Sequence, residues 1–194
     1  MKHVLDTRER ILQAAIELVR EKGFKGATTR EIAKKAGVNE ITLFRHFNNK
    51  EGIVKAAFEK VSYVPSLSTA IKEEVVWDLE KDLLMFSKLY QLLLCENRDL
   101  IMISLKEAHL FSELQQQITD IPRQLKESLI EYFHSMREKG ILIETNAEAQ
   151  AMALIWMNFS FFTSQWQHDN KITDLTEDEF LNNTVKVWAR GLTL

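Results

Sequence analysis

The stretch TTREIAKKAGVNEITLFRHF, residues 28–47, decides how the rest of the chain is read. Thr28 and Glu31 have the Thr-x-x-Glu spacing of a capping box, in which a hydroxyl and a carboxylate each satisfy an amide at a helix start. Ile32, Ala33 and Ala36 then share one helical face. Gly37 ends that helix, because glycine takes positive φ without steric cost. Asn39 is placed to cap a second short helix, NEITLFRHF. Ala33 is small where the two helices must cross, and Ile32, Val38 and Leu43 pin the second onto the first. A tight turn between two short packed helices is the requirement of a helix-turn-helix. Its second helix keeps a polar edge outward, and a DNA major groove about 12 Å wide admits one such helix.

The flanks extend the pattern. On the N-terminal side, TRERILQAAIELVREKGF places Ile11, Ala14, Ala15, Leu18 and Val19 at helical spacing. Asp6 and Glu9 mark its start, and Lys22-Gly23 marks its end. On the C-terminal side, NKEGIVKAAFEKV reads as a helix with Asn48 and Glu51 as its start signal. Residues 64–68 hold Pro65 and two serines, and read as a break. The expected domains are therefore 1–62, the helix-turn-helix head, and 63–194, a larger helical body. In the body, helical patterns cover 75–96 and 99–109. A third runs from Pro122, as a first-turn proline, to Gly140. A fourth opens at Thr145 with Glu148, and the last at Thr176 with Glu179. The expectation is an all-α chain of about nine helices.

Composition agrees. Gly (6) and Pro (2) are scarce, and hydrophobic residues make up 45%, enough for a sizeable core. The net charge of -3 divides unevenly: residues 1–60 carry +5 and residues 61–194 carry -8. A basic head on an acidic body suits a protein that presents one end to a polyanion. Cys95 is the single cysteine, which fits a reducing compartment. Its place in QLLLCEN reads as a small buried hydrophobe. The start of the chain is charged, and the longest apolar stretch, 151–163, is well short of the ~20 residues that span a bilayer. A cytoplasmic protein with no membrane partner is expected.

The outward edge carries the chemistry. Thr42, Arg45 and His46 can reach phosphates or base edges, and Lys50 is placed for a phosphate. Thr28, Thr29 and Arg30 open the preceding helix, whose free amides favour an anion. Phosphate contacts position a protein on DNA; base contacts from Glu40, Ile41, Thr42 and Arg45 would specify the sequence.

The run GATTREIAKKAGVNEITLFRHFNNKEGIVKAAFEK resembles the N-terminal domain of the tetracycline-repressor (TetR) family. The resemblance covers about residues 7–60. Its elements are a helix ending Lys-Gly-Phe, then Ala-Thr-Thr-x-x-Ile-Ala, Ala-Gly-Val, Thr-Leu-Phe-x-His-Phe and Asn-Lys-Glu. The resemblance implies a dimeric, all-helical bacterial regulator, mostly repressing, with a C-terminal domain that holds an effector pocket and the dimer contact. It implies DNA contacts at Thr29, Glu40, Ile41, Thr42, Phe44, His46 and Lys50. Phe44 departs from the family's usual tyrosine, whose hydroxyl touches a phosphate. Ile41 departs from its usual small residue, and suits a thymine methyl.

The body resembles the family in length and helix count. In the family, the last two helices pack in a four-helix dimer contact, which implies a homodimer seam on about 145–167 and 176–192. Leu181, Val185 and Trp188 are the expected seam residues of the second helix. The helix from Ala151 to Trp166 is apolar on all sides and must be covered on all sides. Candidates to line a pocket for a mainly apolar small-molecule effector are Met85, Leu89, Met102, Leu105, Phe111, Met157, Phe161 and Trp166. Its polar groups would come from His109, Asn158, Gln165 and Gln167. Glu131 and His134 have the spacing used in di-iron bundles, but such a site needs a second pair and two more glutamates. No phosphate loop, nucleophile elbow or HExxH stands in the sequence. No cofactor, metal or enzymatic activity is implied. The expected function is a ligand-responsive repressor binding double-stranded DNA at a palindromic operator. The alternative is a DNA-binding adaptor whose body binds a protein.

Overall fold

The computed structural model describes residues 6–58, 64–107, 112–166 and 173–194. They form an all-α protein whose single β feature is a bridge between Leu142 and Thr193. The helices are α1 (Thr7–Gly26), α2 (Thr29–Ala36), α3 (Glu40–Phe47), α4 (Lys50–Phe58), α5 (Val64–Glu73), α6 (Leu79–Glu96), α7 (Arg98–Glu107), α8 (Ser112–Glu138) and α9 (Ala147–Trp166). A final rod joins α10 (Glu177–Phe180), a π turn (Leu181–Val185) and α11 (Lys186–Leu192). Asn182 and Asn183 sit in that widened turn. Their Nδ2 groups donate to the carbonyls of Asp178 and Glu179 at 2.8 and 2.9 Å, competing with the backbone for the same acceptors.

The chain forms two compact units: residues 1–62 with 97–118, and residues 63–96 with 119–194. In the first, α1 buries Ile11, Leu12, Ala14, Ala15, Leu18 and Val19, packing on α2, α4 and α7. Asp6 caps α1, its carboxylate accepting from the Glu9 amide at 2.8 Å. Gly23 adopts φ 72 and ψ 167, so the regular helix breaks there as the Lys22-Gly23 signal predicts, and one further turn carries α1 to Gly26. The start of α4 differs from expectation. Its cap is Asn49, whose Oδ1 accepts from the Gly52 amide at 2.7 Å. Asn48 instead closes α3 at φ 61 and ψ -46, in a γ-turn whose Asn49 amide donates to the Phe47 carbonyl at 2.7 Å. The turn is so tight that a Cβ on Gly52 would stand 2.2 Å from the Phe47 carbonyl oxygen.

In the second unit the core joins Leu83, Phe86, Tyr90 and Leu94 of α6 to Leu125, Leu129, Phe133 and Met136 of α8, with Leu154, Ile155 and Phe162 of α9 and Val185 of the last rod. A polar layer crosses it. Asn158 Nδ2 donates to Ser87 Oγ at 3.0 Å, and Gln91 Nε2 donates to the Asn158 carbonyl at 2.9 Å. All three side chains are buried and hydrogen-bonded to one another, as buried polar groups generally are. Asp82 is also buried. Its two oxygens accept from the Val76 amide at 2.8 Å and the Tyr132 hydroxyl at 3.0 Å. Burial first, then the Asp82 charge, push the Tyr132 phenol far above its ordinary range.

Several sequence expectations are corrected here. Residues 64–68 are not a break: Pro65 lies in the first turn of α5, where its missing N–H is no loss. Pro122 is inside α8, which starts ten residues earlier at Ser112. The cap of α9 is Asn146, accepting from the Ala149 amide at 2.9 Å, while Thr145 accepts from Gln150 and Glu148 pairs with Lys126. Helix α6 begins at Leu79, after Trp77 turns the chain at φ 60. Cys95 is exposed, because it lies just beyond Leu94, where the buried face of α6 ends. Glu131 and His134 are both exposed on α8.

Candidate nucleic-acid interface

Four local devices hold the helix-turn-helix. The Thr28–Glu31 capping box is complete, each side chain bonding the other's backbone amide at 3.2 Å. Lys22 adds an ion pair to Glu31 at 2.7 Å. The Lys22 hydrogen bond, then those from Thr28, bring the Glu31 carboxyl down to about 2. Gly37 ends α2 at φ 69, and its N–H bonds back to Ala33 and Lys34. Asn39 Oδ1 accepts from the Thr42 amide at 2.7 Å. Leu43 and Phe47 are buried on the inner face of α3.

With those two residues inward, α3 turns Ile41, Phe44, Arg45 and His46 to solvent. Ile41 is 79% exposed and Phe44 42%, so neither contributes much to the monomer core. Thr42 is half-buried beside them. At the start of α2, Thr28 and Arg30 are exposed and Thr29 is half-buried. Among the described residues, Arg30 and Arg45 take part in no ion pair. Other basic residues of this unit are engaged: Lys35 with Glu17 at 2.9 Å, Arg20 with Asp99 at 2.9 Å. The Gln13 hydrogen bond, then Lys35, lowers the Glu17 carboxyl, and Glu17 in turn raises Lys35.

Two engagements have no local sequence signal. Lys50 Nζ donates to the carbonyls of Phe24 and Ala27 at 2.6 and 2.9 Å and lies 4.1 Å from the Phe24 ring centre. It is a strut tying α4 to the α1–α2 turn, with one donor left over. Thr29 Oγ1 donates to Glu40 Oε1 at 2.8 Å, linking the first turns of α2 and α3.

The candidate effector residues are divided between the two units. Met85, Leu89, Met157 and Phe161 are half-buried in the second unit, while Met102 and Leu105 are on α7 in the first. Phe161 is stacked on Phe180 at 4.3 Å. Phe111, His109 and Gln167 lie outside the described residues, as does the Trp166 side chain. Asn158 is hydrogen-bonded in the core, and Gln165 Nε2 donates to the Leu175 carbonyl at 3.4 Å. On the expected dimer faces, Trp156 is 61% and Val187 59% exposed. Leu181 and Val185 are instead buried within the protomer, a correction, in a π turn that packs on α6. Among the described residues, no helix is long and apolar enough to cross a membrane.

An all-helical chain whose N-terminal unit presents a capped helix-turn-helix is built as a DNA-binding regulator. Residues 11–57 match the bacterial regulatory proteins of the tetR family. Across nearly the whole chain, 32% of 186 residues are identical to the uncharacterized HTH-type transcriptional regulator YvkB of Bacillus subtilis, covering 96% of this chain and 97% of that protein. The chain belongs to the tetR family of DNA-binding transcriptional regulators. The same fold recurs in the ketosteroid transcriptional regulator KstR2 of Mycobacterium tuberculosis (TM-score 0.74, 18% identity, 99% of this chain and 97% of that one). It recurs also in FadR of Bacillus subtilis in complex with stearoyl-CoA (TM-score 0.69, 22% identity, 94% and 98%).

Proposed function

We propose that this protein is a ligand-responsive repressor that binds a palindromic operator as a homodimer in the cytoplasm and leaves it on binding a small, mainly apolar effector. The observation that carries the reading is the outward edge of α3, where Ile41, Phe44, Arg45 and His46 are exposed on a helix anchored by Leu43 and Phe47. Thr28, Thr29, Arg30, Glu40 and Thr42 extend that edge. Arg30, Arg45 and His46 serve phosphates or guanines, and Ile41 meets a thymine methyl. The Lys50 ammonium braces the turn and offers its remaining donor to a phosphate. Phe44 contributes apolar contact where a tyrosine would donate a hydrogen bond.

The homodimer reading is supported by the exposed Trp156 and Val187 on 145–167 and 176–192. Two heads must reach successive major grooves, about 34–36 Å apart for one helical turn. An effector that binds better to a dimer with another head spacing removes the protein from DNA by that differential affinity. A small-molecule effector with an acyl or steroid-like apolar part is supported by the stearoyl-CoA complex and the ketosteroid regulator among the structural neighbours.

The test is selection of bound sequences from a random DNA pool, with sedimentation of the complex. A palindrome holding two protomers, released by stearoyl-CoA or a shorter acyl-CoA, is the expected result. Enrichment of no sequence, or binding by one protomer, overturns it. A palindrome that no acyl or steroid effector releases removes the effector reading alone.

A further inference from the structure

We propose that Glu40, steered by Thr29, is the residue through which this protein demands a cytosine in its half-site. The inference rests on the reading of the α3 edge as the base-reading surface.

Glu40 is an anion on the face assigned to a polyanion. It is not needed as a cap, since Asn39 already fills that role for α3. In an ordinary phosphate-binding surface such a group only repels. A carboxylate carried into the major groove and left without a donor is costly, so its presence is informative about what it meets. Its aim is set: Oε1 accepts from Thr29 Oγ1 at 2.8 Å, and the pair is partly buried. Among the described residues, nothing is hydrogen-bonded to Oε2. The Thr29 hydroxyl has one hydrogen. While that hydrogen points at Glu40 it cannot also bind a phosphate, so Thr29 acts as a positioning residue.

An ionised carboxylate only accepts hydrogen bonds. In the major groove guanine offers two acceptors, and thymine an acceptor and a methyl. Adenine sets the acceptor N7 beside its amino group. Cytosine offers its 4-amino donor with no acceptor of its own beside it, and is the base a carboxylate fits.

The experiment starts from the sequence selected by the wild-type protein. Replacing the Glu40-dependent cytosine by 2-pyrimidinone, which lacks the 4-amino group, should weaken wild-type binding about tenfold or more and leave Glu40→Ala unaffected. Glu40→Gln should move the preference at that position from cytosine to adenine, because an amide both donates and accepts. Thr29→Val should reduce the cytosine preference several-fold at that position alone; a phosphate-binding Thr29 would instead weaken all sequences alike and flatten the salt dependence. A half-site with no position whose base preference changes in Glu40→Gln overturns the inference and leaves the DNA-reading function standing, as does wild-type tolerance of 2-pyrimidinone. Enrichment of no sequence overturns both.

Discussion

Helices α3 and α9 both put apolar side chains into water, and they differ in what stands beside them. On α3, Ile41 and Phe44 are interleaved with Glu40, Arg45 and His46. On α9, Trp156 stands in a helix whose one charged residue is Glu148, at its first turn. Apolar contact framed by cations fits a groove with methyls on its floor and phosphates on its walls. An apolar patch free of charge fits the centre of a protein interface, where charged residues are depleted. Exposure alone does not separate the two surfaces; the neighbouring charges do.

The largest effect that would break this comparison is at Trp156. Glu in its place sets a charge in the proposed seam. Dimer dissociation should rise at least a hundredfold, about 3 kcal/mol, the size of a strong interface residue. The protomer should keep its helix content, since Trp156 is mostly outside the core. Sedimentation equilibrium reads the first and circular dichroism the second. A variant that stays dimeric removes α9 from the seam.

Gly52 tests the other region through its architecture. Alanine there places a methyl 2.2 Å from the Phe47 carbonyl oxygen, and backbone on both sides must give way. The expected loss is about 2–3 kcal/mol, read by urea denaturation, with DNA binding falling in parallel. Tyr132→Phe is the counterpart in the second unit. It strips one donor from buried Asp82 and should cost about 1.5–2 kcal/mol by the same measurement. Since the second unit contains neither α3 nor α4, Tyr132→Phe should leave DNA affinity unchanged in conditions where the protein stays folded.

The two regions also differ in how much of them was legible beforehand. Thr28–Glu31, Gly37, Asn39 and Thr176–Glu179 were readable because a cap or turn acts on amides within three or four residues. Asn49 displaced Asn48, and Asn146 displaced Thr145, because a one-residue choice between adjacent caps depends on how the helix then packs. The helix through Pro122 ran against local propensity, which tertiary packing overrides, whereas Pro65 opens α5 at a position that suits proline and was misread as a break. Lys50 on the carbonyls of Phe24 and Ala27, and Thr29 on Glu40, join residues 26, 23 and 11 apart, and no periodicity announces such pairs. Leu181 and Val185 were apolar at the expected spacing, but spacing does not tell a face buried within the protomer from one left for a partner. Motif reading thus located the exposed edge of α3 and missed its internal wiring.

The smallest effect compares two capping boxes of the same Thr-x-x-Glu pattern, one in each unit. Glu31 is held down to about 2 by Lys22 first and then by Thr28, whereas Glu179 is lowered by Thr176 alone. Both folded carboxyls titrate below the ordinary 4.5. Each therefore supports its unit fully above that value, and the support fades as pH falls toward the folded pKa. Both groups are exposed, so the contribution to stability is slight. The distinction is in salt. At 1 M the Debye length is about 3 Å, which screens the exposed Lys22 charge, while short cap hydrogen bonds persist. Carboxyl carbon shifts followed by NMR should place the Glu31 midpoint near 2 at low salt and move it upward in 1 M salt. The Glu179 midpoint should hardly move. Equal movement of the two would mean that Lys22 adds nothing to its cap, and that the basic head and the acidic body stabilise their helix starts alike.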